Sequence, residues 1–371
     1  MIYFDNSAST FFKPPEVINA MTNALRFLPA NAGRSGHSEA LKGAALVQKT
    51  RERMSFFVTA DGCDVIFTAG CTAALNLAIF GSVRRGGHVI TTVREHNSVL
   101  RPLYELRRRG LITLSVAGDA TADEIGKLVR PETYMVVTNH VSNVNGEVAP
   151  VKEIGWLCRE KGLIFLVDGA QSVGYLPVDM ASDNIDMLAV APHKGLHAAQ
   201  GVGALIVNKR VPLRPVVFGG TGTASHELIQ PSDRPDGLEA GTQPLPAIAS
   251  LCAAIKWTSE NAADSRDKIA SLYSSLYEGA KRIVGINVYS PAFSPSGIFA
   301  FNLSSLAPSE TADILSHEYD ICVRAGLHCA PLMHERLGLL GSGGCVRVSL
   351  GCDNEPEQID FFLRALREIS G

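Results

Sequence analysis

From about residue 60 to residue 210 the chain alternates short, continuously apolar runs with longer segments of helical period, and few folds accommodate that pattern. The runs "DVIFTAG", "HVITT", "LITLSV", "YMVVTNH", "LIFLVDGA", "DMLAVAP" and "GALIVNK" are rich in β-branched and aliphatic residues. Between them, "TAALNLAIFG", "NSVLRPLYELRRRG", "TADEIGKLV" and "VKEIGWLCREKG" place apolar residues three and four apart. A strand that is apolar along its whole length has no solvent face, so its sheet must be covered on both sides. Helices that return the chain between strands provide the cover. The pattern therefore predicts an α/β fold built on a mostly parallel sheet. In such sheets ligands collect at the carboxyl ends of the strands.

Beyond residue 210 the texture changes. "FGGTGTASHELIQPSDRPDGLEAGTQPLP" is rich in Gly, Pro and Ser, and reads as a long functional loop rather than an element. A long helical stretch from Leu245 to Val284 follows, then "SGIFAFNL", a helix around "SETADILSHEYD", "ICVRAG", "CVRVSLG" and a last helix, "EPEQIDFFLRALREIS". We expect a large domain over residues 15–245, and a smaller C-terminal α/β domain of residues 246–371 joined by residues 1–14.

Charge and hydropathy exclude several classes of function. The formal net charge is -3, and the arginine clusters Arg84-Arg85 and Arg107-Arg109 read as solvated helix ends, so no nucleic-acid surface is expected. No run approaches the roughly 18 apolar residues of a membrane span. "MIYFDNSASTFFKPP" lacks the regions of a signal peptide, and the eight cysteines show no CxxC spacing. The expectation is a cytoplasmic chain with reduced thiols and no metal site.

The strand ends carry a constellation. "LIFLVDGAQSVG" leaves Asp168 at a terminus with Gln171 three residues on, and "DMLAVAPHK" leaves His193 and Lys194 at the next. "VIFTAGCTAALN" places Thr68, Gly70 and Thr72 where a turn opens a helix, so backbone N–H groups and the helix dipole are available to a phosphate. "YMVVTNHVSNVNG" supplies Asn143 and "HVITTVREHNSVL" supplies His96. Taken singly, each has an ordinary reading. Asp168 caps the next helix, Lys194 snorkels to the surface, His96 caps a helix or sits in the core, and Thr68 and Thr72 serve a turn. Taken together, an acid, a lysine on the neighbouring strand end and a phosphate cradle meet the needs of pyridoxal 5'-phosphate. That cofactor requires a Schiff-base lysine, a carboxylate opposite its pyridine nitrogen and a phosphate site.

"YFDNSAST", "NAGRSGHSEAL", "TAGCTAALNLAI", "REHNSVLRPL", "HVSNVNGEVAP", "VDGAQSVGYLPVDM" and "APHKGLHAAQGVGAL" resemble, in order, the landmarks of the class V aminotransferase group of fold type I pyridoxal-phosphate enzymes. The resemblance runs from residue 2 to about residue 350. "VRAGLHCAPLMHERLG" followed by "CVRVSLGCDNE" further resembles the second group of cysteine desulfurases and selenocysteine lyases, whose Arg-x-Gly-x-His-Cys motif falls here on Arg324, Gly326, His328 and Cys329.

The resemblance implies a role for each matching position. Lys194 would bind the cofactor, Asp168 would face the pyridine nitrogen, Gln171 the phenolic oxygen, and His96 would stack on the ring. Thr72, His193 and the turn at Gly70-Cys71 would hold the phosphate. Gly241 and Thr242 would complete that site from the other subunit of a homodimer. Asn143 and Arg347 would bind the substrate carboxylate. Freed Lys194 would take the Cα proton of L-cysteine, or of L-selenocysteine on the same scaffold. The Cys329 thiolate, favoured by the charges of His328 and Arg324, would accept the sulfur as a persulfide while alanine leaves. A sulfur-acceptor protein, in iron-sulfur assembly or another pathway, would then receive it. An aminotransferase without persulfide chemistry is the alternative within the group.

Two departures stand out. Ala191 occupies the place of a phosphate-binding serine, which removes one hydrogen bond. Cys345, two residues from Arg347, is either inert packing or a resting place for sulfur.

Overall fold

A computed structural model describes residues 1–29, 31–32 and 35–370. Gly33 and Arg34 of "NAGRSGHSEAL" lie outside the described residues. The chain begins with β1 (Ile2–Tyr3), α1 (Pro15–Phe27) and α2 (Ser38–Phe57). It then alternates β2 (Cys63–Thr68), α3 (Cys71–Gly81), β3 (Gly87–Thr92), α4 (Asn97–Arg108), β4 (Ile112–Ala117), α5 (Ala122–Lys127), β5 (Thr133–Asn139), α6 (Val151–Lys161) and β6 (Ile164–Asp168). β7 (Met187–Val190) and β8 (Gly203–Asn208) complete a seven-stranded sheet of order β2-β8-β7-β6-β5-β3-β4.

The apolar runs are strands for the reason their sequence gives. Every residue of β5 is buried, and successive residues serve opposite faces. Val65 and Phe67, Val136, Phe165 and Val167, Leu188 and Val190 join one core cluster, beneath α2, α6 and the first half of the long helix described below. Ile66, Met135 and Val137, Leu166, Met187 and Ala189 join the other, beneath α3 and α4. Strand periodicity of two thus divides the side chains between two helical layers. The sheet is mostly parallel, as expected, except that β8 runs antiparallel to both neighbours. Residues 191–202 connect β7 to β8 without a helix, and a parallel return would require a crossover.

After β8 the chain runs irregularly to residue 244, apart from one 3-10 turn at Asp236–Leu238. α7 (Leu245–Ala280), β9 (Ile286–Val288), β10 (Ile298–Leu303), α8 (Pro308–Tyr319), β11 (Ile321–Cys322), β12 (Arg324–Gly326), α9 (Pro331–Arg336), β13 (Cys345–Ser349) and α10 (Pro356–Ser370) follow. An antiparallel sheet of order β12-β13-β10-β9 carries a third core built on Phe299, Phe301, Leu315, Val346 and Phe362. β1 pairs with β11, so the first residues of the chain belong to this core through Phe4. The division expected at 245/246 gives all of α7 beyond Leu245 to the smaller unit. Its packing shares the helix instead: Ile248, Leu251 and Ile255 sit in the large core, whereas Leu272, Tyr273 and Leu276 sit in the small one.

Two glycines set the backbones around the strand ends. A Cβ on Gly203 would stand 2.3 Å from the carbonyl carbon of Gly70, so β8 starts with glycine where the turn before α3 crosses it. A Cβ on Gly174, whose φ is +96°, would stand 2.2 Å from the carbonyl carbon of Gly195, next to Lys194.

Candidate active site

The carboxyl ends of the strands open on a cavity of about 590 Å³, the size of a small-molecule site. Lys194, Asp168, Gln171, His193, His96, Asn143, Arg347 and the turn Gly70-Cys71-Thr72 all line it. β6 and β7 are parallel neighbours, and this pairing brings Asp168 beside the loop that holds His193 and Lys194.

Asp168 ends β6, with its Oδ1 accepting the Ala170 backbone N–H at 3.0 Å and the Cys71 thiol at 3.6 Å. No helix directly follows Asp168, so the capping expected of a lone Asp is not found; its carboxylate holds a turn and lines the cavity. Burial lowers the pKa of Lys194, with the Arg347 and Arg324 charges adding and Asp168 and Cys71 opposing. A lysine so placed gives up its proton more readily than one in solvent. His193 is held down to about 4 by burial and by Lys194 and Lys13, so it is neutral. Gln171 Nε2 donates to Ser7 O at 3.1 Å, while its Oε1 is buried with no partner among the described residues.

His96 caps α4. Its Nδ1 accepts the Ser98 N–H at 3.0 Å, so the neutral ring carries its proton on Nε2. Ser98 Oγ lies 2.9 Å from the same nitrogen and 2.8 Å from Thr72 Oγ1, tying the ring to the first turn of α3. His96 thus caps a helix, one of its ordinary readings, and also lines the cavity. Thr68 serves the turn, donating to Gly70 O at 2.9 Å. Gly70 precedes α3 with no side-chain cap, which leaves the first-turn N–H groups facing the cavity end of the helix.

Arg347 on β13 is 2% exposed. Its Nη1 donates to Asn143 O at 2.9 Å, its Nη2 pairs with Asp5 at 2.8 Å, and its Nε has no partner among the described residues. Asn143 in turn donates from Nδ2 to His328 O at 2.7 Å and leaves its buried Oδ1 unpartnered. Asn143 thus tethers Arg347 to the turn before Cys329. Sequence reasoning gave Asp5 no role, although it stands inside the quoted "YFDNSAST".

Three expectations need correction or qualification. His328 does not supply charge to Cys329: burial, with Arg347 and His334 adding, drives it down to about 2, and its Nε2 donates inward to Cys345 O at 3.0 Å. Arg324, which lines the cavity, is the remaining cation of the motif. Cys329 is exposed and does not itself line the cavity; it follows cavity-lining His328. Its carbonyl accepts the Asn97 N–H at 2.7 Å, and both His328 (φ 46°) and Cys329 (φ 56°) adopt the left-handed conformation. Two successive non-glycine residues in that region store strain, a feature of functional turns. Finally, Gly241 and Thr242 are exposed and lie outside this cavity within one chain; Thr242 Oγ1 contacts Asn31 instead.

Comparison with known proteins places the chain in a family. A family model described as "Aminotransferase class-V" matches residues 2–362. A "Probable cysteine desulfurase" of Methanothermobacter thermautotrophicus is 32% identical over 100% of this chain and 95% of its own length. A "Cysteine desulfurase IscS" of Clostridium botulinum is 29% identical over 99% of this chain and 94% of its own. Among solved structures, the apo cysteine desulfurase of Thermococcus onnurineus superposes with a TM-score of 0.90 at 28% identity, covering 100% of this chain and 94% of that one. The chain belongs to the class-V aminotransferase family.

Proposed function

We propose that the chain is a pyridoxal-phosphate-dependent cysteine desulfurase that converts L-cysteine to L-alanine and captures the sulfur on Cys329. The observation that carries this reading is the convergence in one cavity of Lys194, Asp168 and Arg347. The Arg-x-Gly-x-His-Cys turn sits at the cavity's edge, tethered through Asn143.

The residues present fit the cofactor. The orphaned Gln171 Oε1 awaits a donor, and the uncapped start of α3 at Gly70 suits a phosphate, with Thr72, Cys71 and His193 beside it. Asp168 would face the pyridine nitrogen, His96 the ring, and Lys194 would hold the cofactor covalently. When bound, pyridoxal phosphate supplies an electron sink that makes the substrate Cα–H bond acidic. Arg347 binds the substrate carboxylate, and Asp5 fixes the guanidinium in place. Lys194 removes the Cα proton with an amine whose basicity burial has lowered. Cys329 attacks the substrate sulfur as a thiolate; the new S–S bond leaves a persulfide, and the C–S electron pair stays with the carbon that becomes the alanine methyl group. The attack requires a thiolate, and Arg324, which lines the cavity, is the cation that the motif itself offers.

A homodimer would bring Gly241 and Thr242 of a second copy to the phosphate. The exposed Val217, Phe218, Leu228 and Ile229, on the segment leading to them, support that arrangement. An acceptor protein takes the sulfur onward, and L-selenocysteine is the second substrate to try. The test is incubation of the purified protein with each amino acid, with alanine and sulfide or selenide measured, alongside borohydride fixation of the cofactor. Alanine from cysteine and a label on the Lys194 peptide are expected. No alanine, with the label in place, would move the reading to an aminotransferase.

A further inference from the structure

Behind the turn that carries Cys329 lies a cluster that the desulfurase reaction leaves unused. One ring nitrogen from each of His328 and His334 and the Sγ of Cys345 lie within 4.8 Å of one another. The three residues are 5%, 0% and 0% exposed. They come from the turn after β12, from α9 and from β13, so three elements converge on one point. A backbone carbonyl fixes the tautomer of each ring. His334 Nδ1 lies 3.1 Å from Ala330 O, and His328 Nε2 lies 3.0 Å from Cys345 O. A carbonyl can only accept, so these nitrogens carry the protons and the other nitrogen of each ring presents a lone pair. For His334 that nitrogen is Nε2, 3.6 Å from Cys345 Sγ. For His328 it is Nδ1, which is buried with no partner among the described residues. A buried lone pair without a donor among the described residues is an unfilled valence.

We propose that His328, His334 and Cys345 form a binding site for a soft divalent cation such as zinc. Imidazole nitrogen and thiolate sulfur are the donors that zinc prefers. Zinc–nitrogen bonds of about 2.0–2.1 Å and zinc–sulfur bonds of about 2.3 Å, at a tetrahedral angle, put nitrogen and sulfur about 3.5 Å apart. His334 Nε2 and Cys345 Sγ already stand at 3.6 Å. The carbonyl contacts on the far ring nitrogens match the outer contacts that orient metal-bound histidines. Three protein ligands leave a fourth position for water, and His328 also lines the cavity. On binding, Cys345 releases its proton to solvent and coordinates as the thiolate. The site does not depend on the reaction proposed above.

The experiment uses the full chain, stripped with a chelator and titrated with cobalt(II), whose absorption reports thiolate ligation and tetrahedral geometry. One ion per chain with a sulfur charge-transfer band is expected, and zinc should displace it. Cys345→Ser should abolish the band, and His334→Gln should remove it at the cobalt concentrations that saturate the wild type. Cys329→Ser and Cys352→Ser should leave the band unchanged. Circular dichroism establishes that each variant is folded. If neither Cys345→Ser nor His334→Gln folds, X-ray absorption on the zinc-loaded wild type decides: one sulfur and two imidazoles support the site, and any other set overturns it. Absence of the band in the wild type, its survival in either folded ligand variant, or its loss in either control overturns the proposal, whatever the activity with cysteine.

Discussion

Replacing Arg347 with lysine tests whether this guanidinium receives the substrate carboxylate. A guanidinium has five N–H groups. One is committed to Asn143 O through Nη1 and one to Asp5 through Nη2. Three remain, among them the partnerless Nε–H, and an adjacent pair of these can meet a carboxylate through two parallel bonds. An ammonium offers three N–H groups from a single atom. If it keeps both Asn143 O and Asp5, one is left for substrate. Arg347→Lys thus preserves the charge and removes one charge-assisted hydrogen bond. Arg347 is 2% exposed, so water is poorly placed to replace the lost donor. Such a bond contributes roughly 1.5–3 kcal/mol, and about 2 kcal/mol corresponds to about thirtyfold in affinity. The assay is titration of the cofactor-loaded protein with L-alanine, the expected product, followed by the absorbance of the bound chromophore. Cofactor affinity, measured separately, should change by less than about threefold, because Arg347 is assigned to the substrate rather than to the phosphate. Alanine binding within about threefold of wild type would place the carboxylate elsewhere. An equal loss of cofactor affinity would mean that the substitution acts through the fold.

Three further outcomes follow from the same geometry. Cys329→Ser should end alanine formation from L-cysteine, yet Cα proton exchange of L-alanine in deuterated water, read by NMR, should persist because Lys194 and Asp168 are untouched; undiminished alanine release would demote Cys329 to a bystander. Burial pushes the Glu95 carboxyl up to about 8 from 4.5, although the Thr92 hydroxyl and the Asn139 backbone pull the other way. The folded chain therefore holds a proton that the unfolded chain has lost, so this residue makes stability fall as pH rises from about 4.5 to about 8, and Glu95→Gln should flatten that decline in urea melts. Gly203→Ala would press a methyl group against Gly70, costing about 1–3 kcal/mol of stability and shifting the turn before α3; wild-type cofactor affinity by equilibrium dialysis would show that this turn does not hold the phosphate.

The large sheet was legible because its strands are uniformly apolar and its helices strongly periodic, signals that do not depend on distant residues. Asp168 and Lys194 were legible for the same reason: a polar residue just past an apolar run marks a strand end. α1 and α2 precede that alternation and were not read as elements, and α9 is too short to show a period. The direction of β8 was hidden, since a strand's composition does not record which way it runs. The state of His328 was misread because adjacency in sequence suggested proximity to the Cys329 thiol. The left-handed turn instead sends the imidazole toward Cys345 O, where burial keeps it neutral.

Asp5 marks a different limit, and it explains how the cavity is closed. The segment from Asp5 to Thr10 follows β1, which pairs with β11 of the small sheet. Asp5 reaches Arg347, and the Ser7 N–H donates to Ser349 Oγ at 2.8 Å, both on β13. The same segment turns to the large sheet, where Ser7 O accepts from Gln171 and the Thr10 N–H donates to His193 O at 3.1 Å. Through Asp5, Ser7 and Thr10, this six-residue segment thus bonds to the elements that carry both the expected carboxylate site and the expected cofactor site. α7 makes the second span, with one half in each core. A strand-end rule finds Asp168 and Lys194 because each belongs to one sheet. No local rule finds Asp5, because its partner is 342 residues away and its role exists only once the two sheets are held in register.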